Sequence, residues 1–407
     1  MSKRDRRVAL YIHGGGIRGM IPAYIMQRIE SRTGLHMADM VDIFTGPSSG
    51  AILNCALNTP DRDNPGKPRY KARHMARFYE RQGLRIFPRD AFRDFRAFIH
   101  DFNNRTMKIG QLNRLFRHGH YDPVYLGRAL RALYGQTRLS DSLSSLIIST
   151  YNIDGEQLIA LEDMDENDEA PVHTVNNFID EGGHAVWLKN ISLPGARNQH
   201  PPPEVDMYNA VMASTAAPTF FPCHHFSIRT AEANKRQHIT GIDGSIYDNP
   251  CTNYMGAIRQ HLPANTDLTM IILGTGFINR SYRREDWNRY GSLGVVDPVN
   301  DLPLINILFH ATESALLESF TDELDNNLYV LNKSLLTANP EIAPSEAIDD
   351  ASPDNIRRMK RFADAIIEEN ADSFDRICDI LVRNYEQGTK AASPSRGNPW
   401  LSMFQGS

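Results

Sequence analysis

Twice within about the first sixty residues, the chain runs an apolar segment into glycines and then into helix-forming residues. Val8 to His13 leads into Gly14, Gly15 and Gly16; a helix follows with Pro22 in its first turn, Ile25, Met26 and Ile29 at helical spacing, and Gly34 as its stop. Val41 to Thr45 leads into Gly46 to Gly50 and then into the apolar run Ala51 to Leu57. Short apolar runs without polar alternation read as strands covered on both faces. Strand, turn and helix in succession call for a parallel sheet, because parallel neighbours can be joined only through a crossover. The chain is thereby committed to an α/β fold.

The remainder is compatible with that start. Leu143 to Tyr151, Gln157 to Leu161, His238 to Asp243 and Asp267 to Leu273 are predicted strands, the last ending in Gly274-Thr275-Gly276. Val205 to Ser214, Leu302 to Leu317 and Asp354 to Tyr385 carry helical spacing, the last through Ile356, Met359, Ala363, Ile366, Phe374, Ile377 and Leu381. Thr59 to Pro68 is charged and rich in Pro and Gly, and Glu162 to Glu169 is acidic; both are predicted loops. The expected division is a catalytic region over 1–335 with a helical insertion at about 70–135, a C-terminal helical region over 336–387 packed on it, and a poorly ordered tail from 388 to 407.

Composition narrows the function. With 407 residues, 41% hydrophobic and 23% charged, the chain can bury a substantial core. A formal charge of -5 lacks the basic field of a nucleic-acid binder, so no nucleic-acid polymer is expected as a partner. Cys55, Cys223, Cys251 and Cys378 are scattered without metal or redox spacing and read as buried thiols. No run of eighteen apolar residues is present, and Val8 to Ile12 is too short for the core of a signal peptide. A cytoplasmic protein that visits membranes peripherally is expected, with secretion by a route lacking a Sec signal left open.

Gly46-Pro47-Ser48-Ser49-Gly50 matches G-x-S-x-G at a predicted strand-to-helix turn, the context in which that pattern exposes a nucleophile. Flanking glycines clear room for the sharp turn, and the helix N-terminus favours negative charge developing at Ser48. Ser49 is the neighbouring alternative. Gly14, Gly16 and Gly19 satisfy G-x-G-x-x-G, with Asp39 or Asp42 about twenty positions on, so the loop reads either as a dinucleotide site or as a set of backbone donors for an oxyanion. A nucleophilic serine needs a base. A Ser, Asp, His order would take His261 or His310; the other candidate is Asp243 in Asp243-Gly244-Ser245, directly after a strand, where Gly244 lets the backbone turn. The remaining histidines, His118, His120, His224 and His225 among them, read as surface or packing residues.

Five segments in order resemble the patatin-like phospholipase family. They are Gly14 to Gly19 followed by Met20-Ile21-Pro22, Gly46 to Gly50, the small-residue stretch Ala213 to Pro222, Asp243-Gly244-Ser245 with Asp248-Asn249-Pro250, and Leu273 to Gly276. The resemblance runs from about Val8 to Leu331. It implies an α/β/α sandwich around a mainly parallel central sheet, with a helical cap and C-terminal covering helices. It also implies a Ser-Asp dyad of Ser48 and Asp243 that hydrolyses acyl esters of lipids, most often phospholipids. Gly15, Gly16 and Ile17 would then offer the oxyanion N–H groups, and Arg18 would meet a lipid phosphate or steady the loop through a salt bridge. Gly14, Gly19, Gly46, Gly50 and Gly244 would shape the elbow and turns. No metal and no cofactor is implied. Departures are His13 where many members carry Asp, Pro47 before the serine, and Ser245 in place of Gly or Ala.

Two alternatives accompany this expectation: a bacterial effector of the same family that degrades membranes only once a nucleotide or protein activates it, and a non-catalytic lipid-binding relative. The mixture of Phe and Arg from Arg81 to Arg117 suits either a packed helical cap or contact with an anionic membrane, and Trp400 and Phe404 in the tail suit the same contact.

Overall fold

The computed structural model describes residues 5–88, 121–154, 157–159, 182–193, 195–197, 202–218, 220–229, 236–278, 281–285, 287–289, 303–336 and 338–388. The Arg and Phe segment beyond residue 88 and the tail beyond 388 lie outside these residues, as does the acidic stretch Glu162 to Glu169.

Nine strands are present among the described residues: β1 (Asp5–Ile12), β2 (Ile43–Thr45), β3 (Ser145–Asn152), β4 (Gln157–Ile159), β5 (His184–Asn190), β6 (His224–Arg229), β7 (Arg236–Asp243), β8 (Thr266–Leu273) and β9 (Leu328–Leu331). They form one sheet. β1 pairs in parallel with β2 and β8, β2 with β3, and β8 with β9, while β5, β6, β7 and β4 join antiparallel. The expected mainly parallel α/β architecture is therefore what the chain adopts.

Period-two alternation decides which layer each strand residue joins. Leu10, Ile12, Phe44, Leu146, Ile148, Ile271 and Leu273 enter one buried cluster, with residues of α1 (Met20–Thr33), α2 (Ser49–Leu57), α3 (Ala72–Ile86), α4 (Pro123–Tyr134) and α5 (Met207–Ser214). Ala9, Tyr11, Ile43, Ile147, Met270 and Ile272 enter the other, with Cys251, Tyr254, Ala257, and Phe320 and Leu324 of α6 (Pro303–Leu324). Both faces are covered, which is why these strands carry no polar alternation. The predicted helix from Asp354 to Tyr385 is two helices, α7 (Pro353–Glu369) and α8 (Ala371–Glu386), broken at Asn370, whose φ of -120° is not helical. Both place Met359, Phe362, Ile366, Ile377 and Leu381 in the first cluster. Cys55, Cys251 and Cys378 are buried, but Cys223 is exposed, because it lies in the connection entering edge strand β6.

One detail of pairing fixes the site. Leu146 and Ile147 of β3 pair with both β2 and β5, and Thr150 to Asn152 pair with both β7 and β5. A strand has two edges, so β2 and β7 share the edge that β5 does not occupy. β2 runs parallel to β3 and ends opposite Ile147; β7 runs antiparallel and ends opposite Thr150. The two strands thus point at each other along a single edge, about 10 Å apart at 3.3 Å per residue.

At the foot of the sheet, buried Asp42 accepts from the Val8 amide at 2.8 Å and from Asn384 Nδ2 of α8 at 2.9 Å, and it faces the buried Arg7 guanidinium at 3.6 Å. It therefore ties β1, the approach to β2 and the last helix together. Replacing one member of a buried pair strands the other charge, so Asp42→Ala should lower unfolding free energy by about 3–5 kcal/mol in a denaturant titration; a loss under about 1 kcal/mol would show that the contact is incidental.

Candidate active site

The turn after β2 is built by close backbone approach. A Cβ on Gly46 would stand 2.0 Å from the Ile12 carbonyl oxygen, and one on Gly50 2.1 Å from the same atom. Only glycine lets the chain cross the end of β1 at this distance, and Gly46 also sits at φ 136°. Between them Ser48 is held at φ 55°, ψ -124°, outside the regions that ordinary residues favour. Its N–H donates to Ser214 Oγ at 3.0 Å, while the amides of Gly50 and Ala51 close the first turn of α2 onto the Pro47 carbonyl at 2.8 and 3.3 Å. Pro47 loses nothing here by lacking a donor. Strained backbone that its surroundings over-determine is commonly found at reactive centres.

Asp243 ends β7 opposite Thr150, with its N–H on the Ala216 carbonyl at 3.0 Å and its Oδ1 accepting from the Ser245 amide at 2.9 Å. Its carboxylate also faces the Ser48 side chain. Ser48 is 9% exposed and Asp243 3%. Burial pushes the Asp243 carboxyl up to about 6 from its ordinary 3.8, opposed by the Ser245 amide and by the facing Ser48 and Ser245 side chains, which lower it. Gly244 is packed so tightly under Ser149 that a Cβ would come within 2.5 Å of the Ser149 carbonyl oxygen.

The glycine loop after β1 completes the cluster. A Cβ on Gly14 would lie 2.5 Å from Ser245 Oγ and 3.1 Å from Ser48 Cβ, so this loop touches the elbow and the Asp243 turn at once. Thr275, in the turn after β8, donates its hydroxyl to the Gly14 carbonyl at 2.8 Å and sits directly beneath Gly15. Gly19 lies against Ser49 and Tyr79. Among the described residues no acceptor takes the amides of Gly15 and Gly16. The Ile17 amide differs from the expectation: it donates to the Ile348 carbonyl at 2.8 Å, which removes it from the three-donor set. Ile348 belongs to the segment leading into α7, and its carbonyl would stand 2.2 Å from a Cβ on Gly16.

Arg18 is 8% exposed, and its Nε and Nη1 have no hydrogen-bond partner among the described residues. Burial lowers its pKa to about 10, with Glu346 opposing, so it stays cationic at neutral pH. Two of the other sequence alternatives, Asp42 and His261, are placed away from this cluster. Asp42 is occupied beneath the sheet and cannot serve a ribose. His261 precedes the N-terminal end of β8, whereas Gly274 and Thr275 follow its C-terminal end, which puts His261 about 25 Å away across eight strand residues. The His310 side chain lies outside the described residues. Ser214, Thr275 and Ile348 were not singled out from sequence; the first two lie in recognised motifs, and the third carries no signal because only its carbonyl matters.

Among the described residues no three His, Cys, Asp or Glu side chains gather as a metal site, and no helix is long and apolar enough to cross a membrane. The sequence profile of patatin-like phospholipases matches residues 10–255, more than half of the chain. The chain is 23% identical to Patatin-like protein 2 of Oryza sativa subsp. indica over 93% of its own length and 88% of the rice protein. It is 24% identical to Patatin-like protein 2 of Arabidopsis thaliana over 74% and 68%, and 23% identical to Patatin-16 of Solanum tuberosum over 90% and 85%. Read with the mostly parallel covered sheet, the profile match means that the chain belongs to the patatin-like phospholipase family.

Proposed function

We propose that the protein is a lipid acyl-hydrolase of phospholipase A type in which Ser48 is the nucleophile and Asp243 its general base. The carrying observation is that the strained Ser48 elbow and the Asp243 turn meet under the glycine loop, with the Ser48 side chain facing the buried Asp243 carboxylate closely enough to lower its pKa. Asp243 accepts the hydroxyl proton as Oγ attacks the acyl carbonyl; the tetrahedral intermediate collapses to an acyl-enzyme and the alcohol, and water activated by the same carboxylate releases the fatty acid. A carboxyl raised to about 6 is a better base than an ordinary one yet still ionised at neutral pH.

The amides of Gly15 and Gly16 are the proposed oxyanion donors, since neither is committed elsewhere among the described residues. Arg18, cationic and lacking hydrogen-bond partners at Nε and Nη1 among the described residues, suits the phosphate of a phospholipid. The catalytic unit on this proposal spans residues 1–335, with 336–387 packed against it. Peripheral membrane contact and any activating nucleotide or protein belong to the same proposal as partners to be sought.

Two outcomes are expected. With mixed phospholipid vesicles, mass spectrometry of products should find fatty acid and lysophospholipid from the native protein, and Ser48→Ala and Asp243→Asn should each lower release by about 10³-fold or more; undiminished release from Ser48→Ala would exclude this nucleophile. Stability should move the other way. The folded carboxyl near 6 holds its proton while the unfolded one near 3.8 has lost it, so the group's contribution falls as pH rises from about 4 to 6, and the cost is complete above that. At pH 7.5 Asp243→Asn should therefore stabilise the fold by about 1–3 kcal/mol in a denaturant titration, a gain that disappears below pH 4.

A further inference from the structure

A second buried acid stands one turn beyond Asp243. Asp248 is 4% exposed, and its amide donates to the Gly244 carbonyl at 2.9 Å, so both carboxylates hang from the same tight turn. Asn253 Nδ2 reaches both carboxylate oxygens of Asp248, at 3.0 and 3.2 Å. Asn253 Oδ1 in turn accepts from Thr45 Oγ1 at 3.0 Å. Thr45 is the last residue of β2 and adjoins Gly46. The chain Thr45, Asn253, Asp248 therefore bridges the two strand ends that meet along β3, on a path that uses no sheet hydrogen bond.

Among the described residues, the groups facing Asp248 come from several elements. β1 contributes Tyr11, whose hydroxyl donates to the Asp248 carbonyl at 3.1 Å; β3 contributes Ser149; the turn contributes Asp243 and Tyr247; Cys251 follows, and Glu313 of α6 faces Tyr11 and Cys251. None is a cation. Two buried acids without a cation between them repel when both are ionised, in contrast to Asp42 with its arginine. Burial, opposed by hydrogen bonds and reinforced by the charge of Asp243, pushes Asp248 up to about 7.

We infer that Asp248 is a positioning residue for the proposed reaction: through Asn253 it holds the Asp243 turn to the elbow, and its own negative charge drives charge out of Asp243 toward the glycine amides. When Ser48 attacks, the Oγ–H bond breaks and its proton goes to Asp243; the Oγ–C bond forms; and the carbonyl π pair moves to the oxygen. One negative charge thus moves from Asp243 to the oxyanion, with none created. An ionised neighbour at the starting position favours that displacement. The pair thus provides two catalytic levels, one with Asp243 alone ionised and a faster one with both.

This rests on the Ser48 and Asp243 assignment, and one experiment separates the two. kcat/KM for p-nitrophenyl butyrate is measured from pH 5 to 9, normalised to the active sites titrated by a fluorophosphonate, for the native protein, Asp248→Asn and Thr45→Val. The native profile should rise in two steps, near pH 6 and near pH 7. Asp248→Asn keeps an oxygen for Asn253 to donate to, and should show one step with a plateau lower by on the order of 3–10-fold. Thr45→Val should keep both steps at a rate reduced several-fold. A single step in the native profile, or an unchanged two-step profile in Asp248→Asn, overturns the role of Asp248 while leaving the dyad intact, and needs no variant to fold in the first case. An unchanged rate in Thr45→Val overturns the bridge. Absence of Ser48-dependent turnover in the native protein removes the dyad and this inference together.

Discussion

Everything about the site follows from two strands of opposite direction ending against each other on one edge of β3. β2 carries the chain up to the elbow and β7 carries it down to Asp243, with only the stretch between Ile147 and Thr150 separating their ends. In an all-parallel sheet the ends of neighbouring strands would face the same way, and residues following them would lie side by side over one rim. Here the antiparallel entry of β7 aims a carboxylate at the elbow. The glycine loop then closes over both, because the backbone at Gly46 and Gly50 must cross the Ile12 carbonyl at a distance that no side chain tolerates.

Buried acids are treated in two ways in this molecule. Asp42 is given an arginine, an amide and an asparagine, and it acts as a rivet between β1 and α8. Among the described residues Asp243 and Asp248 receive only neutral donors, which satisfy hydrogen bonding but leave the charge uncompensated. The first arrangement stabilises the ionised form outright; the second leaves the proton exchangeable near neutral pH. Burial is common to all three, so the presence or absence of a cation among the described residues separates the carboxylate held ionised from the two whose pKa is raised.

Much of this was legible in the residues. The glycine clusters located both turns, and the largely apolar runs Val8 to Ile12, Val41 to Thr45 and Asp267 to Leu273 identified strands covered on both sides. The Asp243-Gly244 pair marked a turn at a strand end. Other features left little trace. β5 and β6 mix polar and apolar residues because they lie toward the sheet margins, where one side meets water, and β9 is only four residues long. The break at Asn370 interrupts an otherwise continuous amphipathic pattern, so spacing alone joined α7 to α8. Ser214 and Thr275 act through single hydroxyls on backbone atoms, a role that any serine or threonine could hold.

By itself, then, the order of residues determined the fold class, the two glycine turns and the candidate serine and aspartate, because those depend on local sterics and on periodicity along the chain. Which amides stay available, and which acids lack a cation, was decided only in three dimensions. The Ile17 amide lost its place among the donors to a carbonyl more than three hundred residues away, and Asp248 gained its position through Asn253 and Thr45. Hydrogen bonding and burial are properties of neighbours in space, and sequence distance carries no information about them.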